Sequence, residues 1–235
     1  MKHLILIFCI CLFASNSFAS EIETEKRETD PFSEISLRVS ANLYIEQGDE
    51  HSISISANQK TLDKIIVEIN NGKMIVRFSW EDRLFNDFKP GKIDIHVSTK
   101  TIKKLSIQGS GNIIAENPFT SRNLHLNISG SGDIKLASFS CERIEANISG
   151  SGDIILEGNS SGKEIDITIA GSGDVFASDF EAEAAYVKIA GSGDCEINVS
   201  NYLDVAIYGS GDVVYKGEPS LKEKIAGSGR IHRKN

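Results

Sequence analysis

Ile128-Ser129-Gly130-Ser131-Gly132-Asp133-Ile134 decides the fold, because the chain says it again as Ile148-Ser149-Gly150-Ser151-Gly152-Asp153-Ile154. Gly-Ser-Gly begins at Gly109, Gly130, Gly150, Gly171, Gly191, Gly209 and Gly227, at intervals of about 20 residues. Further copies occupy residues 169–175, 189–195, 207–213 and 225–231. Apolar residues and the glycines share one parity, while Ser129, Ser131 and Asp133 share the other. Leu124-x-Leu126-x-Ile128 and Ile165-x-Ile167-x-Ile169 extend the apolar parity before the motif. Such alternation predicts a half-buried strand.

One or two short strands cannot bury a face alone, so successive units must stack, with equivalent residues about 4.8 Å apart. The leucine-rich repeat has a similar period, but its Leu-x-x-Leu-x-Leu-x-x-Asn pattern is absent. The expected fold is therefore all-β: a right-handed parallel β-helix of about 20-residue coils. Glycine at two inward positions points to a corner of unusual dihedrals or to a close approach of backbones. The repeat coils span 108–235. Residues 32–107 lack the motif but alternate in Ile35-x-Leu37-x-Val39 and Ile93-x-Ile95-x-Val97. They are expected to form irregular early coils or an antiparallel cap on the same core, making 32–235 one domain. Asn70-Asn71-Gly72 reads as a hairpin turn, and residues 58–64 as one helical turn. In the last unit Arg230 stands where the five preceding copies have Asp, which suits a terminal cap.

Outside the domain, Leu4 to Ala14 is an apolar run after Lys2 and His3, and Ser17-Phe18-Ala19 supplies small residues for cleavage. Residues 1–19 therefore read as a signal peptide, too short for a membrane span. Residues 20–31, rich in Glu, Lys and Arg, read as a solvated arm. Export to the periplasm, cell surface or medium follows, and no later apolar run is long enough to cross a membrane. The chain has 235 residues, 40% of them hydrophobic, and a formal charge of −8. This composition belongs to a globular protein, and the acidic balance argues against a nucleic-acid partner. Cys141 and Cys195 remain after cleavage, a thin basis for a disulfide and too few for a zinc site.

These elements resemble a bacterial family, the putative auto-transporter adhesins with a head GIN domain. The resemblance rests on Phe32-Ser33-Glu34-Ile35, on Leu43-Tyr44-Ile45-Glu46-Gln47-Gly48-Asp49, and on the repeated Ile-x-Gly-Ser-Gly-Asp-Ile. It rests also on residues 209–217, Gly-Ser-Gly-Asp-Val-Val-Tyr-Lys-Gly. It implies an exported β-helical protein with an adhesive role, and it brings no catalytic residues.

Stacking places Asp133, Asp153, Asp174, Asp194 and Asp212 in one ladder, preceded by Asn112. Carboxylates about 4.8 Å apart repel by roughly 3.5 kcal/mol at an effective dielectric of ~20, and by about 0.9 in bulk water. Hydrogen bonds from nearby N–H groups or serine hydroxyls are the expected compensation; Ca²⁺ is the alternative. The serine row from Ser110 to Ser228 lacks a base and an orienting partner, so it reads as a solvated face. Trp80, Phe85 and Phe88 fall in a loop-like stretch, either as a sugar-stacking or protein-anchoring platform or as an apolar plug. These three aromatics and the five ladder aspartates are the candidate ligand-binding residues, and no cofactor is called for.

The functional expectation is a non-catalytic binding or adhesion module for a glycan or surface protein. A β-helical polysaccharide lyase or hydrolase is the enzymatic alternative, lacking only a visible acid–base cluster. A structural envelope component is the third.

Overall fold

The computed structural model describes residues 22–79, 81, 89–158 and 160–234. The expected signal peptide at 1–19 and the aromatics Trp80, Phe85 and Phe88 lie outside the described residues. The N-terminal section contains β1 (Ile22–Arg27), β2 (Glu34–Leu37), β3 (Asn42–Gln47), β4 (Ser52–Asn58), α1 (Gln59–Leu62), β5 (Ile65–Asn70), β6 (Lys73–Phe78) and β7 (Asp94–Thr99). The coils follow as β8 (Lys104–Gly109), β9 (Asn112–Ala115), β10 (Phe119–Gly130), β11 (Ile134–Leu136), β12 (Phe139–Gly150) and β13 (Ile154–Leu156). They continue with β14 (Ser160–Gly171), β15 (Val175–Gly191), β16 (Cys195–Gly209), β17 (Val213–Lys216), β18 (Ser220–Gly227) and β19 (Ile231–Arg233).

The solenoid has about six turns, and around the motif the pairing follows the repeat residue for residue. Ile128 lies beside Ile148, Ile148 beside Ile169, Ile169 beside Ile189, and Ile189 beside Ile207, all in parallel strands. After the corner, Ile134, Ile154, Val175, Cys195 and Val213 form a second inward row. Both rows are buried in one continuous apolar core. Each buried aliphatic side chain contributes about 1.5–3 kcal/mol relative to exposure, so the stack repeats a modest gain coil by coil.

The glycine corner interrupts the strand. Strands end at Gly130 and resume at Ile134, and both glycines meet the backbone of the coil before. Gly130 has φ of +137°, a conformation that side-chain-bearing residues rarely adopt, and a Cβ there would also overlap the Gly109 carbonyl oxygen. Gly132 has no such dihedral, but a Cβ there would overlap the carbonyl oxygen of Gly111, the equivalent residue one coil earlier. The close approach is therefore between successive coils. Ser131 N–H and Gly132 N–H both donate to the Gly109 carbonyl, at 2.9 and 3.2 Å.

A third face completes each coil. In β12, Phe139 and Cys141 point inward, Glu142 and Arg143 both point outward, and the inward parity resumes at Ile144. This slip turns the strand between a short face and a long one. Along the short face Phe119, Phe139 and Phe180 stack with centroids 5.8 and 5.7 Å apart. Ser160 and Gly162 leave room for the Phe180 ring, against which a Cβ on Gly162 would collide.

The N-terminal section combines both expected forms. β2 lies parallel between β6 and β8, and β3 parallel between β7 and β9, so β2–β3 is a coil inserted out of chain order. β4 closes on β7 and β5 on β6 in antiparallel fashion. The β5–β6 turn has positive φ at Asn71 and Gly72, matching a tight type I′ hairpin. The helical turn is α1, whose N-cap Asn58 accepts from Thr61 N at 3.0 Å, and Leu62 is buried in the core. Residues 22–27 are not a free arm. They form β1, antiparallel to β4, because the edge of β4 offers unpaired backbone groups. Arg27 anchors this strand through the Ile65 and Leu62 carbonyls at 3.1 and 2.9 Å. At the other end, Glu223 of β18 occupies the inward row beside Val205 of β16, an inward charge that discourages a further coil.

Three substitutions separate the causes at the corner. Gly152→Ala is expected to cost at least ~3 kcal/mol, because Cβ meets rigid backbone. Gly109→Ala, which has φ +131° but nothing near its Cβ, is expected to cost about 1–3 kcal/mol. Ser151→Ala should stay within ~0.5 kcal/mol. Denaturant unfolding that ranks the three alike would contradict this assignment.

Candidate functional site

The corner brings the five aspartates together, and each carboxylate holds the next coil. Asp133 Oδ1 accepts Asp153 N–H at 2.9 Å, and Asp153 Oδ1 accepts Asp174 N–H at 2.8 Å. Asp174 and Asp194 accept from Asp194 and Asp212, each at 2.7 Å. Asn112 begins the series by accepting Asp133 N–H at 3.1 Å. Beyond it, Asn112 donates to Asn42, and Asn42 to Asp94, which pairs with Lys92 at 2.7 Å. At the far end Arg230 gives Asp212 both its backbone N–H and its guanidinium, each at 2.8 Å. A hydrogen bond to a charged group is worth about 1.5–3 kcal/mol, comparable with the repulsion between neighbouring carboxylates. The ladder is thus a fastening along the axis, with a cation at each end.

The environments of these carboxyls differ. Arg230 beside Asp212 holds its carboxyl below the usual carboxylate range. Asp94 is also lowered: burial works against ionisation, but hydrogen bonds from Lys92 and Asn42 prevail. Burial pushes Asp174 up, the Asp194 N–H opposes this, and the charges of Asp153 and Asp194 add to the rise. No three of His, Cys, Asp and Glu come together to hold a metal ion among the described residues. The serines of the motif stand exposed beside the ladder. Cys141 and Cys195 are both free and buried, and burial raises both thiols.

Sequence reasoning missed a large concave surface, which lies on another face. An open groove of about 850 Å³ runs along the short face from Gln47 past Thr120, Ser140 and Ser161 to Ser200. None of the ladder aspartates lines it. Thr120 is in register with Ser140, and Ser161 with Glu181, so successive coils supply a regular row of polar groups. Gln47 closes one end by accepting Thr120 N–H at 2.9 Å and donating to the Lys100 carbonyl at 3.0 Å. Glu142 lies between Arg122, at 3.7 Å, and Lys163, at 3.3 Å. The signal available in the sequence was the outward pair after the short inward run, as in Glu142-Arg143. It shows where a strand bends and hence where a concave face begins.

A coil stack of this kind is shared with known proteins. The family model for the putative auto-transporter adhesin, head GIN domain, matches residues 31–219. The chain belongs to this family. A putative adhesin from Bacteroides fragilis superposes with a TM-score of 0.84 at 24% identity, covering 92% of this chain and 98% of that one. A protein of Parabacteroides distasonis described as a putative lipid binding protein gives 0.74 at 27% identity, with the same coverage. A putative adhesin from Parabacteroides merdae gives 0.71 at 20%, again over 92% and 98%. The search of curated proteins found no match. No helix among the described residues is long and apolar enough to cross a membrane.

The ladder geometry dictates its response to substitution and pH. A raised carboxyl such as Asp174 favours the folded state when protonated, and this contribution is lost as pH rises through its folded value. Asp174→Asn keeps an acceptor for Asp194 N–H, as Asn112 already does for Asp133, and removes the charge. It is expected to unfold at the same or a higher temperature at neutral pH, with any gain vanishing in acid. Asp174→Ala leaves the Asp194 N–H without its acceptor and should cost about 1–3 kcal/mol. A melting series from pH 3 to 8 checks both, and an Asn variant as damaged as the Ala variant would contradict the fastening role. Millimolar calcium should leave the wild-type midpoint unchanged; a rise would give the ladder to a metal instead.

Proposed function

We propose that this protein is an exported, non-catalytic adhesion module that holds an extended glycan along the short-face groove. The observation that carries this reading is the groove itself. It is long, open, and lined by hydroxyls and charges repeated at the coil spacing on a backbone fixed by parallel pairing. Such a surface offers a polymer many equivalent polar contacts at little cost in protein ordering, because the site is pre-formed. The serine, threonine, glutamate and lysine lining suits a polar chain better than an acyl chain. Membership of the adhesin family agrees with a surface-binding role. The ladder aspartates, with one oxygen of each committed to the next coil, serve the scaffold in this reading, and the groove takes the ligand.

The test offers bacterial and host-type polysaccharides and matrix proteins to the purified chain without residues 1–19, with bound and released material read by mass spectrometry. Retention of an intact polysaccharide is expected. Released fragments would make the protein an enzyme, and retention of matrix protein alone would move the ligand class. Ser140→Trp, an exposed position at the centre of the groove, is expected to weaken retention at least tenfold while shifting the melting temperature by less than about 2 °C.

A further inference from the structure

The chain carries a net charge of −8, so an acidic polymer is repelled by the molecule as a whole and can dock only where cations are concentrated. One such place exists at the N-terminal end of the groove. Lys103, Lys104, Arg122 and His125 line a single pocket of about 530 Å³, in which Glu34 is the one carboxylate. Lys100 and Lys103 line an adjoining pocket of about 240 Å³ beside Phe32 and His51. Thr101 lines both pockets and the groove, so the three concavities adjoin one another.

The fold fixes the backbone that carries Lys103. Lys103 N–H donates to the Ser33 carbonyl at 2.8 Å, and the Lys103 carbonyl accepts His125 N–H at 2.9 Å. Lys104 lies in register between Glu34 of β2 and His125 of β10. The demands of the fold do not account for the charges. Arg122 is 82% exposed and only loosely paired with Glu142 at 3.7 Å. His125 is held by Glu145 at 2.9 Å. Lys103 and Lys104 form no ion pair among the described residues. Neighbouring cations repel each other, and an anion between them converts that repulsion into attraction. The guanidinium of Arg122 can grip a carboxylate or sulfate with two parallel hydrogen bonds, and the lysines add point charges.

We infer that the polymer is an acidic glycan: a carboxylate or sulfate group seats among Lys103, Lys104 and Arg122, and the adjoining sugars lie along the groove, whose hydroxyls are interspersed with Glu142, Glu181 and Glu183 and with the cations Arg122 and Lys163. This inference rests on the glycan reading of the groove.

The experiment measures binding of polygalacturonate, dextran sulfate, neutral dextran and phosphatidylglycerol-containing vesicles to the chain without residues 1–19, at low and moderate salt. At least one acidic polysaccharide is expected to bind well above neutral dextran and to weaken as salt rises. The Lys103→Gln/Lys104→Gln double variant should lose at least tenfold in affinity with an unchanged melting temperature. A Lys188→Gln/Lys216→Gln variant removes the same charge elsewhere and should bind like the wild type. Polygalacturonate against dextran sulfate then distinguishes the carboxylate from the sulfate. Equal binding of neutral dextran would retain the glycan reading and overturn the acidic one. Equal losses in both double variants, or no loss in the first, would also overturn it. Binding only to vesicles would assign the cations to a lipid headgroup, and no binding to any polysaccharide would overturn both readings.

Discussion

Everything in this molecule depends on how closely successive coils approach at the glycine corner. At Gly132 there is space for a hydrogen atom and no more, because the Gly111 carbonyl occupies the position of a β-carbon. The same contact recurs from Gly132 to Gly152 and onward to Gly229. Since every corner sits directly on the one before, residues that follow the glycines must also superpose. The aspartate ladder is the consequence. A side chain that reaches one coil along the axis finds a backbone N–H there, and repetition turns one local hydrogen bond into a fastening along the whole stack. The ladder would be self-repelling without those N–H donors, and it ends on Arg230 at one side and, through two asparagines and Asp94, on Lys92 at the other.

Much of this was legible in the residues. The isoleucines at 128, 148, 169, 189 and 207 announce the stack, and their pairing is in register without a slip. The hairpin at Asn71-Gly72 and the helical turn capped by Asn58 follow from local chemistry. The inserted β2–β3 coil was not legible, because its position depends on pairing between segments distant in sequence, and nothing in Ile35-Ser36-Leu37 names its neighbours. The segment at 22–27 is solvent-exposed, as expected of a solvated arm, but its pairing was not legible for a related reason: backbone pairing with β4 does not require an apolar side chain, so a charged segment can still be a strand. The alternatives for the aspartates were visible, but only the folded structure shows that the hydrogen-bond donors come from the adjacent coil.

The candidate groove was the least legible part. Thr120, Ser140 and Ser161 are ordinary polar residues on the outward parity and acquire meaning only when the coil bends beside them. Likewise Lys103 and Lys104 belong to an unexceptional charge count until the fold brings Arg122 to the same pocket. A parallel β-helix separates these tasks cleanly. Inward rows supply cohesion, the glycine corner sets the spacing, and the outward residues of the other faces are free to differ from coil to coil. That freedom lets one scaffold carry both a row of hydroxyls and a localised cluster of cations.

Amide hydrogen exchange at the corners tests the account most directly. Because each amide donates to a carboxylate one coil away, the N–H groups of Asp153, Asp174 and Asp194 are expected to exchange as slowly as those of Ile148 and Ile169 in the adjoining strands. Exchange at the rate of exposed loops, with the strands still protected, would show that the carboxylates do not fasten the coils and would contradict the account.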